Sequence, residues 1–149
     1  KYSTRDVPMN EVFSYIASEI EGENIAWINV TNPLSGPECY SNAAKTYSQM
    51  DPKYNCLLSV CEVQDYLFYD GKPVNFKPYP WAKSQDLKGL LEMTFVINIL
   101  KRQDMIDWGS PVGTNPYFYL LDKIDSLDID FQDDFNFCEM VHNQRLSNK

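Results

Sequence analysis

The chain has 149 residues, the size of one domain, with 44% hydrophobic and 14% aromatic residues. That content is too apolar for a disordered chain, because it offers enough surface to offset the entropy of folding. Thirteen Lys and Arg against 21 Asp and Glu give a formal charge of -8, which repels a nucleic-acid backbone or an anionic membrane and favours a basic protein partner.

Met9, Val12, Phe13, Ile16 and Ile20 recur at helical spacing and predict an amphipathic helix over 9–21, opened after Pro8 and stopped at Gly22. Residues 25–30, Ile-Ala-Trp-Ile-Asn-Val, read as a short strand, apolar on both faces and therefore central. Asn29-Val30-Thr31 matches a glycosylation sequon, but a glycan has no room on a buried strand. Asn32-Pro33 and Ser35-Gly36-Pro37 mark a loop before a short helix over 39–49. Residues 56–63 suit a strand or a helix. Asp70-Gly71, between Tyr-Leu-Phe-Tyr and Val-Asn-Phe, predicts a hairpin over 65–77 whose second arm, rich in proline, is an edge.

Leu87, Leu90, Leu91, Phe95, Ile97 and Leu100 predict a long central helix over 85–103 capped by Ser84, in preference to a strand over 94–100. On that reading Leu91 and Phe95 are core residues. A Gly/Pro loop over 107–116 leads to a helix opened by Pro116, and a last helix spans 133–145. The expected fold is a single α+β domain over 1–149. It has about five helices packed on a small antiparallel sheet that contains the hairpin.

Cys39, Cys56, Cys61 and Cys138 allow three disulfide pairings. A chain this long needs no such staple, so the preferred reading is four buried free thiols, which suits the cytoplasm better than secretion. Gly36-Pro37-Glu38-Cys39-Tyr40-Ser41-Asn42-Ala43-Ala44 resembles the Cys box of ubiquitin-specific and viral papain-like peptidases. The resemblance implies Cys39 as a nucleophile at a helix N-terminus, with His142, the single histidine, as its base. The run from Asp128 to Glu139 resembles an EF-hand loop, with Asp133 where the pattern has Gly. Cys138 and His142, four apart, form half of a zinc set. The expectation from these motifs is no cofactor and no metal.

The least uniform segment is acidic. Residues 122–139 hold Asp122, Asp125, Asp128, Asp130, Asp133, Asp134 and Glu139 against Lys123 alone, interleaved with Phe131, Phe135 and Phe137. Acids steer a basic partner and rings anchor it. The competing reading places these phenylalanines in the protein's own core. The leading functional expectation is a non-catalytic acidic protein that inhibits or sequesters a basic protein partner through Asp128, Asp130, Asp133 and Asp134. A secreted effector-type interaction protein and a papain-like cysteine peptidase are the alternatives.

Overall fold

A computed structural model describes residues 7–148; Lys1–Asp6 and Lys149 of the expected domain lie outside the described residues. At its centre is strand β2 (Cys56–Glu62), in which every residue from Cys56 to Cys61 is buried. Burial on both faces requires a cover on each side, and the chain supplies one from elements distant in sequence. Strand β5 (Leu91–Lys101) pairs antiparallel with β2 and with β1 (Asn24–Trp27), while β6 (Pro116–Leu120) pairs parallel with the other side of β2. The sheet order is therefore β1-β5-β2-β6 and the sheet is mixed. Helices α1 (Met9–Glu19) and α3 (Arg102–Trp108) cover one face, where Ala17, Leu58, Leu100 and Met105 form a buried cluster. Helix α2 (Pro37–Gln49) covers the other, over Leu57, Ile97, Ile99 and the rings of Tyr117 and Tyr119.

The two helices on the first face approach closely. Gly109 ends α3 in the left-handed region at φ 59, its N–H donating to Met105 O. A Cβ there would lie 2.8 Å from Asn10 O on α1, so glycine serves both the turn and the contact. Arg102 ties the other end, donating from Nε to Gly22 O at 2.9 Å and from Nη1 to Ala17 O at 3.3 Å.

Several expectations change. The predicted helix over 85–103 is strand β5 preceded by a single 3-10 turn at Ser84–Asp86. Gly89, at φ 86, breaks any helix through this segment. A strand buried between two neighbours is apolar on both faces, a pattern that periodicity alone does not separate from a central helix. Leu91 is accordingly 37% exposed at the start of the strand. Phe95, at φ 54, sits in a wide bulge and is only half-buried. There the register passes from Leu58 opposite Asn98 to Val60 opposite Met93.

The segment after Pro116 is strand β6, not a helix, since proline also suits the first residue of an edge strand. The first strand is shorter than expected and lies at the edge of the sheet rather than its centre. Asn29 lies beyond it, half-buried, its Oδ1 accepting from Trp27 Nε1. The fold is thus a single α+β domain with four α-helices among the described residues, α4 (Gln132–Ser147) being the last. The hairpin forms its own two-stranded sheet, β3 (Phe68–Tyr69) and β4 (Lys72–Pro73). Asp70 and Gly71 both take positive φ at its turn, as a tight hairpin requires. Among the described residues no helix is long and apolar enough to cross a membrane.

Candidate partner-binding site

Helix α4 follows the loop 121–131 and lies against loops rather than against the sheet. Ile129 N–H donates to Thr31 O, and Arg145 donates to Leu34 O at 2.9 Å while pairing with Asp125 at 2.6 Å. Its start is fixed by Asp134. One carboxylate oxygen accepts from the N–H groups of Phe131 at 2.8 Å and Asp130 at 3.1 Å, satisfying donors the helix leaves open and placing negative charge at its positive end.

The helix buries Cys138 and half-buries Asp134 and Val141, on one line toward the loops. Its apolar residues flank that line on both sides. Phe131, Phe135 and Leu146 stand on one flank at 77%, 48% and 55% exposure; Phe137 and Met140 stand on the other at 40% and 58%. The phenylalanines are therefore surface groups and do not fill the core. Gln132, Asn136, Glu139 and Asn143 form the outward line between the flanks, all exposed.

The structure gathers the four predicted aspartates at the start of α4 but exposes them unequally. Asp130 and Asp133 face solvent. Asp134 is occupied with the helix terminus. Asp128 has one oxygen buried and without a hydrogen-bond partner among the described residues, and the residue lines a small recess with Cys61, Glu92, Lys123 and Asp134. Exposed negative charge at the start of α4 comes from Asp130 and Asp133, with Glu139 exposed further along the helix and Asp122 exposed beside the Cys39 groove.

Cys39 and His142 are not brought together. Cys39 lines a groove of about 790 Å3 with Asn42, Tyr119, Asp125 and Arg145. His142 lines a separate groove of about 360 Å3 with Pro33, Phe135, Cys138 and Glu139. Cys39 does sit in the first turn of α2, but burial pushes its thiol up, a hydrogen bond with Ser35 opposes this, and the Asp125 carboxylate adds to the rise. A raised thiol is the opposite of an activated thiolate. The EF-hand spacing fails for a backbone reason: from Gln132 onward the run is helix, so its later ligand positions point around a cylinder and not into a loop. Among the described residues no group of three or more His, Cys, Asp and Glu is placed to hold a metal ion. All four cysteines are free, with Cys39 half-buried and the others buried.

A second exposed feature was legible in sequence only as a hairpin. Between Val63 and Leu90, joined by a 2.9 Å backbone hydrogen bond, the chain leaves the sheet as an arm. The rings of Tyr66, Phe68, Phe76 and Trp81 pack on one another with centroids 4.8–5.7 Å apart. Tyr66 Oη donates to Ala82 O at 2.5 Å, and Asn75 bridges Leu67 N and Asp65 O. Phe68, Tyr69, Tyr79 and Trp81 remain 63–90% exposed. The sequence signal for such a surface was the density of aromatics around Asp70-Gly71 and the prolines.

No family model matches the sequence. No curated protein matches it either. Among solved structures, bifunctional IspDF from Campylobacter jejuni is similar in fold, with a TM-score of 0.60 over 85% of this chain at 12% identity. The chain spans about a third of that protein, 33% of its length. The likeness is one of backbone architecture.

Proposed function

We propose that this chain is a non-catalytic binding protein whose acidic, aromatic face captures a basic protein partner, and that it inhibits or sequesters that partner by covering its basic surface. The observation that carries the reading is the exposure of Phe131 and Phe135 on one flank of α4 and of Phe137 on the other, in a segment that also exposes Asp130 and Asp133. Large apolar groups at the surface of a helix, rimmed by charge of one sign, mark an interaction surface. The aspartates raise the encounter rate, and the rings slow dissociation. Asp134 holds the start of the helix in place, and Asp128 lies behind it. The separate grooves of Cys39 and His142, and the raised Cys39 thiol, weigh against the peptidase reading.

The test is binding of the full chain to labelled peptides rich in Lys, Arg and aromatic residues, followed by stopped-flow anisotropy. The Asp130→Asn, Asp133→Asn double variant is expected to slow association about tenfold with little change in dissociation. Phe135→Ala is expected to do the reverse, speeding dissociation. Absence of binding to every basic peptide, or kinetics unaltered in both variants, rejects the proposal.

A further inference from the structure

The arm over 63–90 is the natural electrostatic complement of the α4 face. Over 63–90 it carries four lysines, Lys72, Lys77, Lys83 and Lys88, against Asp65, Asp70 and Asp86, and the lysines all fall in its second part, 72–88, where Asp86 is the one acid. Outside the arm the chain has twice as many acids as bases. All four lysines are exposed, and none forms an ion pair among the described residues. The arm is rooted beside the acidic stretch, where Lys123 pairs with Asp65 at 3.6 Å, yet its lysines reach no acid of their own chain. Asp122, Asp130, Asp133 and Glu139 likewise form no ion pair among the described residues.

We propose that the acidic face of one copy takes the lysine-rich aromatic arm of a second copy. The proposal rests on the reading of α4 as a capture face for basic partners and names one such partner. Exposed Tyr69, Tyr79 and Trp81 supply the anchors, and the apolar flanks of α4 receive them. The arm is already ordered by its ring cluster and its Asn75 and Tyr66 hydrogen bonds, so docking it costs little conformational entropy. The surfaces that meet are two different parts of the chain. The contact therefore closes as a dimer if two copies exchange arms, and as a ring or open chain if they do not. Self-association also occludes the site, so a different basic partner competes with it.

Two bodies of charge -8 repel at long range. At physiological ionic strength charges more than about 8 Å apart are largely screened from one another, whereas contact pairs between lysine and aspartate are screened less. Association should therefore be strongest at intermediate salt and weaker both in dilute buffer and at about 1 M salt, where the screening length falls to about 3 Å.

Sedimentation velocity on the full chain tests this with two neutralised variants. One carries Lys72→Gln, Lys77→Gln, Lys83→Gln and Lys88→Gln; the other carries Asp122→Asn, Asp130→Asn and Asp133→Asn. The native chain is expected to gain mass with concentration at physiological salt and to return to monomer at about 1 M. Each variant alone should associate at least about tenfold more weakly. An equal mixture should recover association but stop at two chains, because one variant keeps only its face and the other only its arm. Thermal melts matching the native chain establish that both variants fold. A native chain monomeric at every salt and concentration overturns the proposal, as does an arm variant that associates like the native protein or a mixture that does not recover. If basic peptides still bind the face of a monomeric native chain, self-association fails while the capture reading stands; if neither occurs, both fail.

Discussion

Ser59 shows how much one hydroxyl carries in this sheet. It is fully buried, and its Oγ accepts from Ile97 N–H and from Thr94 Oγ1, both at 3.0 Å. Ile97 N–H is a backbone donor that the bulge around Phe95 removes from the regular ladder, and a buried donor without an acceptor is costly. Ser59→Ala is expected to lower the unfolding free energy by about 1–3 kcal/mol in urea denaturation; a change under about 0.5 kcal/mol would mean the bulge finds other partners. Asn98 is the opposite case. It is fully buried opposite Leu58, and neither its Oδ1 nor its Nδ2 has a partner among the described residues. Asn98→Leu replaces an unsatisfied amide by an apolar group of similar shape and should stabilise by about 1–3 kcal/mol. If the variant is instead less stable than the native chain, the amide has a role that its surroundings do not reveal.

Among the elements, β5 separates what pattern predicts from what packing decides. A helix over 85–103 makes Leu91 a core residue; the strand makes it half-open and buries Leu100 completely. Leu100→Ala should cost about 2–5 kcal/mol, and Leu91→Ala less than about 1 kcal/mol. Equal losses at both positions in chemical denaturation would reinstate the helix. Helix α4 is the complementary case. Its position was readable from the acids at its start and the residues after them, but the destination of its phenylalanines was not. On a helix resting on loops the apolar residues fall on two opposite flanks, and each flank leaves large side chains 40–77% exposed.

For the whole molecule, burial leaves a titration signature. It raises the thiols of Cys39, Cys56, Cys61 and Cys138 and the phenols of Tyr40, Tyr47 and Tyr119. An acid whose pKa is higher in the folded state keeps its proton longer there. Its stabilising contribution is complete below the unfolded pKa and is lost as pH rises through the folded one. The urea midpoint should therefore hold constant between about pH 7 and 8 and fall progressively above about pH 9, as thiols and then phenols ionise. A midpoint unchanged to about pH 10.5 would contradict the burial of these groups. The lysine-rich arm and the acidic stretch meet at the surface, where Lys123 pairs with Asp65.

By itself the sequence determined the class and the local stops and starts. α1 was marked by Pro8 and its apolar stripe, α2 by the loop before Cys39, the hairpin turn by Asp70-Gly71, and α4 by the acids that complement a helix N-terminus. These are local choices, made by backbone sterics, turn chemistry and the helix dipole over a few residues. Only the tertiary structure decided that 91–101 is a strand, that β6 lies parallel to β2, and that Cys39 and His142 open into different grooves. Each depends on which distant segment covers which face. An apolar run buried on both sides looks the same in sequence whether its neighbours are strands or helices. The exposure of Phe131, Phe135 and Phe137 has the same origin: a side chain's own chemistry says that it prefers burial, but only the packing of the rest of the chain determines whether anything remains to cover it.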